Sequence, residues 1–157
     1  MINPIEREAL RFESRAGMLG NVLTRQVPRL AAEHADGVFN EALGRAGVAR
    51  EAITGWIFHA GGRDVLVALA ERFGLLSDEL RYSREALRRY GNFSSAFVYF
   101  VLDAALGDAA PGGWWWMSSF GAGFTRHGAL LAVDITSLDH PSTTCRAPSP
   151  HPGNGRR

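Results

Sequence analysis

Two residues combine a reactive side chain with a setting that could use it: His59 and Asn92. His59 directly follows ITGWIF (53–58), a short apolar run that reads as a buried strand, and precedes Ala60, Gly61 and Gly62. In open α/β sheets the ligand crevice lies at the carboxyl ends of the strands. An imidazole there can exchange a proton near neutral pH. Gly61 and Gly62 would let a ligand approach the backbone, and the helix that opens at Asp64 would offer unpaired N–H groups to an anion. A structural histidine in a loop fits the same position. Asn92 lies at the mouth of a second helix, between Gly91 and Phe93–Ser94–Ser95. Helix capping is its plain structural role, and catalysis the alternative.

Other chemistries find no support. The glycine turn 120–123 fails the dinucleotide fingerprint, because Arg126 stands three residues beyond Gly123. No Gly-Lys-Ser/Thr phosphate loop occurs, and no G-x-S-x-G nucleophile elbow. The single cysteine, Cys145, allows neither an internal disulfide nor a cysteine zinc site, and no other metal site is expected. Cys145 also sits in a proline-rich stretch with nothing predicted around it to lower its pKa. The tryptophans 114–116 read as core strand rather than as a stacking platform.

The elements that must position His59 and Asn92 follow from periodicity. Leu30, Ala31, Ala35, Val38, Ala42 and Ala46 recur at helical spacing, predicting a helix over 28–46 that stops at Gly47. Val65, Leu66, Leu69 and Phe73 form the apolar face of the helix after His59, with Gly74 as its C-cap. A short polar helix is expected over Ser83–Tyr90, ending at Gly91. Residues 96–106 are apolar nearly all round, so that helix should be buried on every side. Trp114–Phe120 reads as a core strand, and HGALLAV (127–133) as its antiparallel return. Residues 1–26 read as mixed and arginine-rich, with Gly17 and Gly20 interrupting any helix. After Leu138 the chain has no Leu, Ile, Val or Phe, and Pro141, Pro148, Pro150 and Pro152 follow, which predicts a disordered tail over 136–157. The fold class is α/β, with a mixed, mostly buried sheet packed by helices.

Composition excludes some partners. With 157 residues, the chain suits one domain. Its 17 basic and 16 acidic residues give a net charge of +1, which supplies no electrostatic drive toward nucleic acid or an anionic membrane. No apolar run could span a bilayer, and MINPIEREALRF lacks the apolar core of a signal peptide, so a cytoplasmic protein is expected.

Taken together, the segments resemble one family. WIFHAGGRDVL is similar to the His-Pro-Gly-Gly motif of type III polyketide synthases, the chalcone and stilbene synthase family. LRYSREALRRYGNFSSAFVYFVLD resembles that family's Gly-Asn-Met-Ser-Ser segment, and FGAGF its terminal Gly-Phe-Gly-Pro-Gly segment. RAGMLGNVLTRQVP resembles the lead into the carboxy-terminal half. The resemblance implies one thiolase-like half domain: a lead-in over 1–26, the synthase C-terminal-like domain over 27–135, and the tail.

It also implies an acyltransferase that condenses an acyl-CoA starter with malonyl-CoA through a Cys-His-Asn constellation. CoA thioesters would be substrates, and no cofactor is expected. His59 matches the histidine, Asn92 the asparagine, and Ser94 a cavity-lining serine. Gly61 and Gly62 match the glycines of the histidine motif, and Phe120, Gly121 and Gly123 the loop that shapes the cavity. The family's cysteine lies in a first half with no counterpart in this sequence. The chain is therefore expected to be inactive alone, and to work with a cysteine-bearing N-terminal half or to pair as a homodimer. A non-catalytic truncated homologue, or a CoA- or acyl-binding module, is the alternative. Ala60, Phe93, Phe97 and Ala122 depart from the family pattern.

Overall fold

A computed structural model describes the chain at residues 6, 9–15, 17–108 and 110–134. The tail predicted over 136–157, and Cys145 within it, lie outside the described residues. The chain opens on a hairpin that the sequence reading did not anticipate: β1 (Leu10–Arg15) pairs antiparallel with β2 (Met18–Leu23), Arg15 opposite Met18. Gly17, at φ 78°, supplies the left-handed conformation that so tight a turn requires. The signal was four residues of alternation, Leu10 and Phe12 against Arg11 and Glu13, ended by Ser14.

The domain proper is a three-stranded sheet between two pairs of helices. α1 (Val27–Ala46) leads to β3 (Ile53–Phe58), then α2 (Arg63–Phe73), α3 (Arg81–Tyr90), α4 (Phe97–Gly107), β4 (Gly113–Gly121) and β5 (Thr125–Val133). The order is β3-β4-β5, with β3 parallel and β5 antiparallel to the central β4. A parallel pair needs a long crossover, which α2, α3 and α4 provide, whereas β4 and β5 need only the glycine turn.

Successive strand residues point to opposite faces, and this sorts the helices. Trp56, Phe58 and Trp116 face α1 and α2, where Phe39 lies 5.5 Å from Trp56, 5.4 Å from Phe73 and 5.1 Å from Trp116, ring to ring. Ile57, Trp115 and Met117 face α3 and α4: the first two share a cavity wall with Ala105, the last with Val98. Each large side chain buried here contributes about 1.5–3 kcal/mol. Gly55 is required by packing, since a Cβ there would stand 2.6 Å from the Trp115 ring.

The expectation for the fourth helix is half met. Phe97, Val98, Val101 and Ala105 of α4 are buried, but Tyr99 is 64% and Phe100 47% exposed. A helix that is apolar all round needs a second surface, and the described residues provide only one. No helix among the described residues is long and apolar enough to cross a membrane.

Candidate active site

His59 emerges from the carboxyl end of β3, where its backbone N–H donates to the carbonyl of Ser118 at 2.9 Å. Its ring is buried (4% exposed), 4.6 Å from the Phe120 ring and 5.9 Å from that of Phe97. Nδ1 lies 3.1 Å from the Phe120 carbonyl, and Nε2 lies 3.1 Å from Oδ1 of Asn92. The sequence separates these partners by 61 and 33 residues; the β3–β4 pairing and the α3–α4 corner bring them together.

Asn92 is held by three bonds. Its Nδ2 donates to the Gly61 carbonyl at 2.7 Å, and its Oδ1 accepts from the backbone N–H of Ser94 at 3.0 Å as well as facing His59. Those two backbone bonds fix which end of the amide meets the imidazole: the oxygen does. One of the two amide hydrogens on Nδ2 is left to offer elsewhere. The capping role expected for Asn92 is not met, since α4 has Ala96 as its N-cap and no side-chain cap bond; Oδ1 instead closes a local turn onto the Ser94 N–H and faces the imidazole at once. Ser94 adopts φ 73°, a left-handed conformation unusual for a residue with a Cβ, and such local strain clusters at functional corners.

The imidazole therefore sits between two oxygens. A neutral ring has one N–H and satisfies one of them; the doubly protonated ring satisfies both. Burial works the other way and dominates, lowering the pKa of His59 below 6.5 against the pull of Asn92 and the Phe120 carbonyl. Geometry asks for a charge that the apolar surroundings refuse, and a nearby anion would reconcile them.

The remaining sequence-predicted residues divide. Gly61 belongs to the site, and its reason is packing: at φ 53° a Cβ would stand 2.5 Å from the Phe120 ring that covers His59. Gly62 precedes the first turn of α2 and lines a cavity of about 570 Å³ with Arg25, Pro28, Arg63 and Asp64. Gly121 and Gly123 do not touch the imidazole. They shape the turn that returns Phe124, at φ 53°, to stack on Phe120 with centroids 6.0 Å apart. Among the described residues, no group of three or more His, Cys, Asp or Glu side chains is arranged to hold a metal ion.

One contact was not among the sequence expectations. Ser83, fully buried in α3, accepts from the Phe58 N–H at 3.3 Å and donates to the Phe58 carbonyl at 3.1 Å. A serine three residues before the buried Ala86, on the apolar side of a polar helix, was the available signal.

A parallel strand running into His59, a partner strand that returns through a glycine turn, and helices on both faces define a mixed α/β fold of the thiolase-like kind. The chain belongs to the chalcone and stilbene synthases, with residues 14–133 matching the family's C-terminal domain. It is similar to the crystal structure of 1,3,6,8-tetrahydroxynaphthalene synthase from Streptomyces coelicolor A3(2), a bacterial type III polyketide synthase. The two share 25% identity with a TM-score of 0.73, over 83% of this chain and 38% of that one. The chain thus spans well under two thirds of that relative's length.

Proposed function

We propose that this chain supplies the histidine and asparagine of a type III polyketide synthase active site, and that acyl transfer requires the cysteine thiolate that the family's first half provides. The observation that carries this reading is the buried imidazole, each of its nitrogens set against an oxygen. A thiolate beside it would be held by the imidazolium, and the imidazolium by the thiolate. The cysteine would take an acyl group from a CoA starter. Malonyl-CoA would then lose CO₂, the electron pair of the broken C–C bond moving onto the thioester oxygen as an enolate. The free amide hydrogen of Asn92 is suited to stabilise that oxygen, and the Nε2–H of His59 would join it where the enolate oxygen takes the place of Asn92 Oδ1. The enolate carbon would attack the acyl-cysteine, forming the new C–C bond and releasing the thiolate. The pathway would operate in the cytoplasm, with the first half or a second synthase copy as partner.

The test is thioester turnover. Malonyl-CoA and a panel of acyl-CoA starters are supplied to the chain alone, to the chain with a cysteine-bearing first half, and to that mixture carrying His59→Ala. Products are read by mass spectrometry. Product is expected only in the complemented sample, reduced by about 10²–10⁴ with His59→Ala. No product from halves shown to associate would sink the reading.

A non-catalytic homologue is the second reading, and one observation favours it: the buried Phe97 ring packs 5.9 Å from the imidazole and 5.5 Å from Phe93. Turnover restored or raised by Phe97→Cys would identify that ring as an obstruction to substrate.

A further inference from the structure

Strand β3 pairs with β4 on one side only, and no described strand lies along its other edge. In a strand the backbone groups of successive residues point to opposite sides. His59 sends its N–H to Ser118 on β4, so the N–H and carbonyl of Phe58 point away from the sheet. Phe58 is 1% exposed, which leaves water no access to those groups. The Ser83 hydroxyl meets both, accepting from one and donating to the other. A hydroxyl is the smallest side-chain group that can do both from a single atom.

The same helix delivers the second member of the site. From Ser83, α3 runs to Tyr90, turns at Gly91 and reaches Asn92, whose Oδ1 faces Nε2 of His59. One end of α3 is thus fastened to the residue before His59, and the other end presents that histidine's partner. We propose that Ser83 is a positioning residue: it stands in for a missing strand at the edge of β3 and sets the register in which α3 brings Asn92 to His59. Its importance for catalysis rests on the reading of His59 and Asn92 as the reactive pair. The test below reads geometry without turnover, so the two can fail separately.

The experiment is NMR on the full chain, comparing the native protein with Ser83→Ala, Ser83→Thr and Ser83→Cys. It follows backbone amide exchange and the titration of histidine ring signals, with His59 assigned through His59→Gln. In the native chain the Phe58 amide should exchange slowly, like the sheet-bonded amide of His59. In Ser83→Ala, protection at Phe58 and His59 should fall by about tenfold while amides of α1 keep theirs, since one net hydrogen bond corresponds to about that factor. The His59 midpoint should rise toward that of a free histidine as the strand end loosens. Ser83→Thr keeps the hydroxyl and should restore both readouts. A Phe58 amide that exchanges freely in the native chain overturns the inference, and so does Ser83→Ala with an unchanged His59 titration. Should the alanine variant not fold, Ser83→Cys against Ser83→Thr decides: loss confined to Phe58 and His59 in the cysteine variant supports the role, and equal behaviour of the two rejects it.

Discussion

The two faces of the sheet are finished to different degrees. On the α1–α2 face, Phe39, Trp56, Phe58, Phe73 and Trp116 form a closed aromatic cluster, all of it buried. Even its rim is covered: the Arg50 guanidinium lies 5.5 Å from the Phe39 ring centroid, 5.7 Å from Trp56 and 5.6 Å from Phe73. On the α4 face, a groove of about 340 Å³ opens between Val98 and Tyr99 on one side and Met117, Ser119 and His127 on the other. Tyr99 and Phe100 stand in solvent beside it. The first face is closed by the described residues alone. The second has the composition of an interior and the exposure of a surface, and His59 and Asn92 lie at its end.

The comparison can be broken at either face. The largest effect is expected from Phe39→Ala, which leaves a void against the rings of Trp56, Phe73 and Trp116. A loss of about 3–5 kcal/mol, read from urea unfolding, would leave little folded protein. A loss below about 1 kcal/mol would mean that the closed face is not what holds the domain together. Next comes Gly61→Ala, which places a Cβ against Phe120 at a left-handed φ. About 1–3 kcal/mol should be lost, with the His59 ring signals displaced. Unmoved His59 signals would separate the Phe120 lid from the imidazole.

Acid should act more weakly. Burial lowers the His59 pKa, so the unfolded chain binds this proton more readily than the folded one. Stability is then full above the unfolded value of about 6.5, and declines as pH falls from there toward the depressed folded value. His59→Gln should flatten that part of the curve. An added cysteine-bearing half should reverse the sign, because a thiolate raises the imidazole pKa. The smallest change in stability is expected from Tyr99→Ser with Phe100→Ser, within about 0.5 kcal/mol. Binding of a hydrophobic dye should nevertheless drop, since these are the exposed rings of the open face. Unchanged dye binding would show that the two rings are not what makes that face sticky.

The difference between the faces also explains what could be read from the sequence. α1 and α2 were legible because each has one apolar and one polar side, and periodicity reports that directly. β3 and β4 were legible as short apolar runs between glycines. α4 misled because its composition describes a surround that the described residues do not provide: Tyr99 and Phe100 read as core and stand exposed among them. His59 and Asn92 were visible from residue type and the turns beside them. Their hydrogen bonds to the carbonyls of Phe120 and Gly61 were not, because any residue could supply those carbonyls. Ser83 was hidden for a related reason, as its partners are the backbone groups of a distant residue. The hairpin of β1 and β2 was lost to brevity.

The strand at the centre of the sheet carries three consecutive tryptophans with unequal access to water. Trp115 and Trp116 are sealed at 1% and 0% exposure, while Trp114 is 36% exposed. The Trp116 indole N–H also has no hydrogen-bond partner. An indole so placed emits at the blue end of its range, and a solvated one further to the red. The domain thus carries an internal optical gauge: a water-borne quencher should silence the red component from Trp114 first, and the blue component should persist until the aromatic core itself lets go.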